Sequence, residues 1–451
     1  MREVLEGRPE QGRADAEPAA PVRPRPGRAE VVLLTVAALT LVHLVDHVLR
    51  VDASGWPFTR DLTWFTASLL VFPALVAAAA LLVLVVGVDL AYGWAWASTD
   101  RSRLARTIVW QESDVSDYRR FPARPVPTRP PVFRFRRSPA ADRLPVATVP
   151  VRQGGRLVER DLEGFLRSTG TTAFLAVKGD TLVSEVYFQG YRHDSTVSSL
   201  SVAKPVVSAL VGIAIAQGRI GSVDDPVTRY LPELAHRDPR FGAITLRHLL
   251  TMSSGLADLD PYYDLDLDLR TVAVRDTRIA EPAGRRFHYN NVNPVLPGMV
   301  LERATGRTVS AYLSERLWGP LGMEAAGSWS LDSRRSGLEL LQAGLNGRAV
   351  DFAKLGALSL HGGAWRGRQL VPRRWVADST MADTRTDPSP RFQYDWWTRP
   401  GSGRPYDFWA QGNHGQFVYV APSRDVVLVR FGTDYNDDHW PDLLATLARR
   451  L

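Results

Sequence analysis

An uncharged apolar stretch at residues 62–88 places the strongest constraint on how this chain can fold. It runs for 27 positions without Asp, Glu, Lys or Arg, whereas about 20 apolar residues are enough for a helix to cross a bilayer. Aromatic residues, which concentrate at membrane–water interfaces, flank the stretch: Trp56, Phe58 and Trp64 at one end, and Tyr92, Trp94 and Trp96 at the other. We therefore predict a transmembrane helix over 62–88, with the lipid bilayer as a partner.

A second apolar run covers residues 31–45. It begins too far from the N-terminus, and lacks the small-residue cleavage site, to be typical of a signal peptide. We predict a second helix over about 31–49, which gives a membrane segment at 31–98. Four polar side chains at the end of this helix share one face. One interpretation is a metal or haem site. We favour the other, in which the side chains extend to the membrane surface and the Asp and Arg form an ion pair. The four residues are His43, Asp46, His47 and Arg50.

The arginines around these segments bear on orientation. Six precede the first segment, two lie between the segments, and three follow closely after the second. The excess of positive charge on cytoplasmic flanks then predicts a hairpin with both ends, and with them the residues after 98, in the cytoplasm. If residues 31–49 do not span, the rest of the chain moves to the other side. The sequence alone leaves the side open.

Charge and cysteine content narrow the remaining classes. The chain has a formal net charge of +7 and no cysteine, which excludes disulfides, thiolate metal sites and a cysteine nucleophile. Arginines cluster in a basic tail at 1–30, predicted to be disordered, and in a Pro/Arg-rich linker at 99–150 that forms a tether or an extended strap. A nucleic-acid arm would also be basic, but the apolar stretch between the clusters favours membrane flanks and no nucleic-acid partner.

From residue 151 to 451 the pattern indicates a globular domain. Two β-rich runs, 171–178 and 181–188, are joined by a Gly-Asp pair typical of a hairpin. Alternating strands are predicted at 416–420 and 426–431, and a terminal helix from about 441. Helical patterns lie between, at 202–216, 246–252, 295–304 and 309–317. Strands at both ends with helices between predict an α+β fold, an antiparallel sheet flanked by helices.

Lysine is rare in this chain, and one lysine stands out. Of 55 basic residues only Lys178, Lys204 and Lys354 are lysines, and lysine, unlike arginine, can lose its proton when buried. Ser201 lies three residues before Lys204, a spacing that chance would give roughly one time in five. If a helix starts at Ser201, both side chains share a face; Pro205 permits this only if the helix begins there. A serine–lysine nucleophile and a simple N-cap with a surface lysine both fit this motif alone.

Two further motifs follow in order: Tyr289-Asn290-Asn291, and Asn413-His414-Gly415 leading into a strand. Together with Ser201-Val-Ala-Lys204 they resemble the serine β-lactamase/penicillin-binding superfamily. The likeness is to the class C-like branch of 6-aminohexanoate-dimer hydrolases, esterases and D-aminopeptidases, and covers about residues 155–451. It implies a β-lactamase-like fold with a helical subdomain, and a serine hydrolase that needs neither metal nor organic cofactor.

The resemblance also implies roles for single residues. Ser201 would attack an amide or ester carbonyl and form an acyl-enzyme, Lys204 would take the serine proton, and Tyr289 would relay a proton to the leaving group. Asn291 would orient the lysine or the substrate carbonyl.

In the third motif, the backbone N–H groups of Ser201 and Gln416 would form the oxyanion hole. Gly415 would let the substrate approach the strand edge. The motif departs from the β-lactamase pattern, because it has no lysine to hold a substrate carboxylate; this favours small amides or esters without that group. His414 would then donate to the substrate or to Tyr289.

Other interpretations remain. A penicillin-binding-like sensor with slow or no turnover would carry the same motifs. A Ser-His-Asp triad using His288 or His414 is conceivable, although the chain has no Gly-x-Ser-x-Gly elbow. The acidic stretch 258–268 is compatible with calcium binding, but it lacks the glycine of an EF-hand loop, so a solvated loop near the site is favoured. The substrate and the oligomeric state stay open.

Overall fold

The computed structural model describes residues 62–111, 113–153, 156–258, 268–381, 389–401, 405–434 and 439–451. The chain divides into two units between Ala91 and Tyr92. The helix Leu62–Ser98 contains the predicted span, and its part Val76–Ser98 is long and apolar enough to cross a membrane. The predicted tail at 1–30, the helix at 31–49 with its polar cluster, and most of the acidic stretch 258–268 lie outside the described residues.

Helices predicted from the sequence are present with small shifts at their ends. The predicted helix at 202–216 starts as a 3₁₀ turn, Leu200–Ala203, and continues as the α-helix Lys204–Ala216, here called the central helix. The helix predicted at 309–317 ends earlier, and a π-helical turn follows it. The described α-helices are Leu62–Ser98, Arg103–Trp110, Leu162–Ser168, Lys204–Ala216, Pro232–Arg237, Leu246–Leu250, Leu269–Arg275, Val295–Thr305, Val309–Leu313, Ala349–Leu360, Arg373–Thr380 and Trp440–Arg450.

The described strands, numbered β1 to β16 along the chain, are Ala123–Val126, Arg136–Arg137, Thr148–Gln153, Arg156–Asp161, Thr171–Lys178, Thr181–Tyr187, Thr196–Ser198, Gly327–Ser330, Leu345–Arg348, Ala364–Trp365, Arg368–Gln369, Phe392–Gln393, Trp396–Arg399, Asp407–Gly412, Gln416–Ala421 and Val426–Gly432. The main sheet has the order β12-β13-β14-β15-β16-β5-β6-β2 and is antiparallel except for β2. A smaller sheet has the order β1-β8-β9-β7. The predicted α+β architecture and the hairpin β5–β6 are confirmed.

The main sheet is buried on both faces because successive side chains of a strand point to opposite sides. In β5, Ala173, Leu175 and Val177 join the larger core with the central helix, while Phe174 and Ala176 join a second core on the other face. The helices Leu162–Ser168 and Trp440–Arg450 close that second core. Burial on both faces explains why β5, β15 and β16 are largely apolar, with apolar residues at successive positions.

Residues of the predicted linker form strands in the same sheets as the residues after 150. Strand β1 pairs antiparallel with β8, and β2 pairs in parallel with β6. Ser314 Oγ donates to the Pro127 carbonyl at 2.7 Å, which fixes the strap between those strands. The segment therefore follows the surface of the domain as an extended strap over much of its length.

Candidate active site

Ser201 lies at a sharp turn directly before the central helix. Leu200, which precedes it, is buried and has a φ of 44°, a left-handed conformation that costs energy for any residue with a Cβ. Pro205 falls within the first turn of the helix, where its missing N–H costs nothing because first-turn N–H groups have no acceptor inside the helix. As the sequence required, the helix survives Pro205 because Ser201 stands at its start.

Lys204 is held inside the protein with its amine against the serine. Its Nζ is 2.6 Å from Ser201 Oγ and donates to the Gln342 carbonyl at 3.0 Å. The residue is only 1% exposed. Burial disfavours the ammonium and lowers the pKa of Lys204 to about 7, against the opposing effect of the Asp395 carboxylate. Near neutral pH a substantial fraction of these amines is therefore uncharged and can accept a proton.

Tyr289 lies beside the same amine. Lys204 Nζ is 4.9 Å from the centre of the Tyr289 ring. The ring is half-buried and stacks on Trp397, with 6.1 Å between centroids and 18° between planes. Phe392 meets both rings edge-on, at 5.9 Å from Tyr289 and 5.0 Å from Trp397. The second motif thus lies beside the lysine amine, and its tyrosine forms an aromatic wall with Trp397 and Phe392.

The asparagines of the second motif divide differently from the expectation. Asn291, expected to orient the lysine or the substrate carbonyl, is exposed, and the described hydrogen-bond partners of Lys204 are Ser201 and the Gln342 carbonyl. Asn290 is buried, donates to the Leu256 carbonyl at 3.1 Å and accepts from the Val292 N–H. The buried asparagine therefore shapes the loop that presents Tyr289, while Asn291 stays available to solvent.

The third motif forms the turn that enters β15. Gly415 has a φ of 74°, and a Cβ there would lie 1.8 Å from Arg430 Nη1. The Gln416 side chain is buried and fixes the turn by donating to the Asn413, His414 and Gly432 carbonyls. Arg430 is fully buried behind the turn and donates to the Gly415 carbonyl. Glycine is therefore needed at 415 to leave room for the guanidinium of Arg430, in addition to the expected close approach of a substrate.

The two residues expected to supply the oxyanion donors, Ser201 and Gln416, both lie beside Gly412. Gly412 pairs with Gln416 across β14 and β15. A Cβ atom on Gly412 would lie 3.1 Å from both the backbone N of Ser201 and the Cβ of Gln416. The start of β15 is therefore close to the backbone of the nucleophile, and an oxyanion hole made by the N–H groups of Ser201 and Gln416 stays a prediction.

The histidines occupy other positions. His414 Nε2 donates a hydrogen bond to the Ser113 carbonyl at 2.8 Å. His288 Nε2 is 3.0 Å from Asp258 Oδ2. Ser201 has Lys204 as its hydrogen-bond partner, which is the serine–lysine arrangement and not a histidine triad. Within the described part of the chain, no group of three or more His, Cys, Asp or Glu side chains could hold a metal ion.

Sequence reasoning missed Asp395 and the Gln342 carbonyl. Asp395 is 3% exposed, and burial raises the pKa of its carboxyl to about 7, against the opposing charge of Lys204. The only signal for it was a carboxylate inside the otherwise uncharged run Phe-Gln-Tyr-Asp-Trp-Trp at 392–397. Gln342 carried no signal, because it contributes a backbone atom from a distant loop.

Comparison with known proteins agrees with this geometry. The profile of the family described as Beta-lactamase matches residues 158–447. The chain is 28% identical over 313 residues to a 6-aminohexanoate-dimer hydrolase of Paenarthrobacter ureafaciens, which covers 63% of this chain and 78% of that relative. It is 34% identical over 166 residues to an esterase of Burkholderia gladioli, which covers 32% of this chain and 41% of the esterase.

Solved structures show the same fold. A protein of Bacillus anthracis, described provisionally as a 6-aminohexanoate-dimer hydrolase, matches with a TM-score of 0.64 and 23% identity over 72% of this chain and 89% of that one. The resemblance inferred from the three motifs and the β-lactamase-like fold are both confirmed.

Proposed function

The chain belongs to the beta-lactamase family and is a serine hydrolase, and from this premise we propose that it cleaves a small amide or ester through Ser201, Lys204 and Tyr289 while anchored in a membrane. One observation carries the proposal. The Lys204 amine is almost completely buried and lies 2.6 Å from the Ser201 hydroxyl. A neutral amine at that distance is a general base for a serine nucleophile.

Acylation begins when Ser201 Oγ attacks the substrate carbonyl carbon and its proton passes to Lys204 Nζ. The carbonyl electrons move onto oxygen, and the resulting oxyanion is held by the N–H groups of Ser201 and Gln416. When the C–N or C–O bond breaks, the leaving group takes the proton from Lys204 by way of the Tyr289 phenol. The ring of Tyr289 beside Nζ supports this relay.

Deacylation uses the same groups in reverse. A water molecule attacks the acyl carbon, and its proton passes through Tyr289 and Lys204 to Ser201 Oγ as the acid leaves. Each cycle therefore returns the lysine to its neutral form. The carbonyl of Gln342, which accepts from Nζ at 3.0 Å, keeps the amine aimed at the serine throughout.

The substrate class follows from what surrounds the nucleophile. Asn413-His414-Gly415 contains no lysine. The nearby Arg430 is fully buried and donates hydrogen bonds to backbone carbonyls. A substrate carboxylate therefore has no cation of this motif to bind. The half-buried Tyr289 and Trp397 rings offer apolar contact area instead. We therefore assign to this site small amides or esters whose recognised portion is apolar or neutral.

Membrane attachment is part of the proposal. The part Val76–Ser98 of its helix has the length and composition of a membrane span, and its most apolar window is fully exposed to the surroundings. Such a surface of leucines and valines is costly in water. We propose that this helix anchors the enzyme.

The test is a screen of small amide and ester substrates on the full chain, with Ser201→Ala and Ser208→Ala as a matched pair. Ser208 lies on the same helix, is 1% exposed, and within the described residues its hydroxyl has no hydrogen-bond partner. We expect Ser201→Ala to abolish turnover with an unchanged circular dichroism spectrum, and Ser208→Ala to retain it. Undiminished turnover in Ser201→Ala would refute the assignment.

A further inference from the structure

Asp395 occupies an unusual position between β12 and β13. Its φ is 71°, and that of Tyr394 before it is 39°. Both lie in the left-handed region, as the two central residues of a two-residue hairpin turn between the paired Gln393 and Trp396 must, and aspartate and glycine are favoured in such turns. The Asp395 N–H donates to the Leu250 carbonyl at 3.0 Å, which fixes this turn. The turn therefore accounts for an aspartate at this position but not for the burial of its carboxyl, which costs free energy unless another group compensates it.

The Asp395 carboxyl has no conventional partner. It is 3% exposed, and within the described residues neither of its oxygens accepts a hydrogen bond. Buried carboxylates are normally hydrogen-bonded or paired with a cation, because removing an ion from water costs several kcal/mol. The group that compensates this carboxyl must therefore lie nearby without touching it directly.

The residues that follow Asp395 place it beside Lys204. Trp396 lines the same cavity as Val202 and Pro205, which flank the lysine in sequence. Trp397 stacks on the ring of Tyr289, over which the Lys204 amine lies. The carboxyl thus belongs to a segment that lines the cavity at the start of the central helix and packs on the tyrosine beside the lysine. The electrostatic interaction between the two groups acts on both pKa values, raising that of Lys204 and lowering that of Asp395 against the larger effects of burial.

We propose that Asp395 is a positioning residue that shares one proton with Lys204 and thereby sets the basicity of the nucleophile's partner. The inference rests on the proposed role of Lys204. The pair can exist as ammonium and carboxylate or as amine and carboxylic acid, and both forms have zero net charge. A buried site that stays neutral in either form avoids the cost of an isolated ion, and its titration belongs to the pair.

Neighbouring charges are compensated elsewhere. On the helix Leu246–Leu250, Arg247 pairs with Asp224 at 2.6 Å and donates to the Tyr394 hydroxyl. His248 on the same helix is half-buried, and burial lowers its pKa, which favours its neutral form. On the side of the nucleophile, the neighbours of Lys204 are the neutral Ser201, Tyr289 and the Gln342 carbonyl. Among the described groups, Lys204 is thus the positive charge that compensates the Asp395 carboxylate.

The lysine content of the chain makes a direct test possible. With only three lysines, the full chain labelled with [13Cε]lysine in lipid nanodiscs gives three Cε resonances, and the Lys204 signal is identified by its loss in Lys204→Arg. Its chemical shift is followed against pH in the wild type, in Asp395→Asn and in Asp395→Gly. The glycine variant relieves the backbone strain at this position, so it protects the test against misfolding of the asparagine variant.

We expect the midpoint of the Lys204 titration to move to lower pH in both variants by about 1–3 units, because an opposite charge that stabilises the ammonium has been removed. The acid limb of the kcat/KM profile should move in the same direction. The control is Asp407→Asn, since Asp407 is a buried carboxyl of the same sheet that accepts from Tyr419 at 2.6 Å rather than facing the lysine. It should leave the midpoint in place.

An unmoved Lys204 midpoint in both Asp395 variants would overturn the inference, and so would an upward shift. A merely structural aspartate would lower kcat without moving either the resonance or the acid limb. The resonance does not depend on turnover. Failure of the proposed hydrolase chemistry would instead appear as activity retained in Ser201→Ala, so the two failures are distinguishable.

Discussion

Acidification should inactivate this hydrolase through the protonation of Lys204, because the amine can accept the serine proton only when it is neutral. Burial lowers the pKa of Lys204 to about 7, so the neutral fraction falls as pH falls through that value. At pH 5 about 1% of the amines remain neutral, and kcat/KM should be about 100-fold below its plateau above pH 8. The assay is kcat/KM for an ester substrate between pH 5 and pH 9, with refolding controls at each pH.

Two variants isolate the group responsible. Lys204→Arg keeps the charge but cannot lose its proton, so kcat/KM should fall by about 10²–10⁴-fold at every pH. Lys178→Arg makes the same change at a lysine at the end of β5, and it should leave the profile intact. A wild-type profile that stays flat from pH 5 to pH 8, or a Lys204→Arg enzyme with full activity, would contradict the reasoning.

Three further outcomes follow from the structure. Gly415→Ala should destabilise the fold by about 1–3 kcal/mol more than Gly190→Ala in thermal unfolding. Both glycines have a left-handed φ, but only a Cβ at position 415 would clash with Arg430. Equal losses of stability in the two variants would exclude that clash. Trp397→Ala removes a ring of the aromatic wall and should lower kcat/KM for aryl or long-chain esters more than for acetate esters, and an equal effect on both would remove the wall from substrate recognition. Because the chain has no cysteine, a single Arg192→Cys substitution reports the side of the membrane on which the domain lies. The arginine charge pattern predicts labelling by a membrane-impermeant maleimide only after the cells are opened. Labelling of intact cells would contradict that prediction.

Local rules predicted much of the fold. The Gly-Asp turn gave the β5–β6 hairpin, and Pro205 limited the helix start to Ser201, since both depend on residues close in sequence. The pairing of Ser201 with Lys204 also follows from helical spacing. The hairpin and the start of the central helix depend on the backbone preferences of a few residues that are adjacent in sequence.

What the sequence did not reveal depends on contacts between distant segments. The carbonyl of Gln342 holds Lys204 across 138 positions of the chain, and a backbone atom leaves no trace in residue type. His414 donates to the carbonyl of Ser113, which belongs to a segment whose composition indicated a tether or an extended strap but no particular contact. The sequence also did not show which asparagine of the second motif is buried: the loop turns Asn290 inward and leaves Asn291 exposed.

The most direct measurement of the central claim is the identification of the residue that carries a covalent acyl or phosphonyl group. The full chain is treated with a fluorophosphonate, digested, and mapped by tandem mass spectrometry, in parallel with Lys204→Arg. The account predicts one adduct on Ser201 of the wild type, formed much more slowly when the basic amine is gone. An adduct on another serine, or labelling of Ser201 at the same rate in Lys204→Arg, would contradict it.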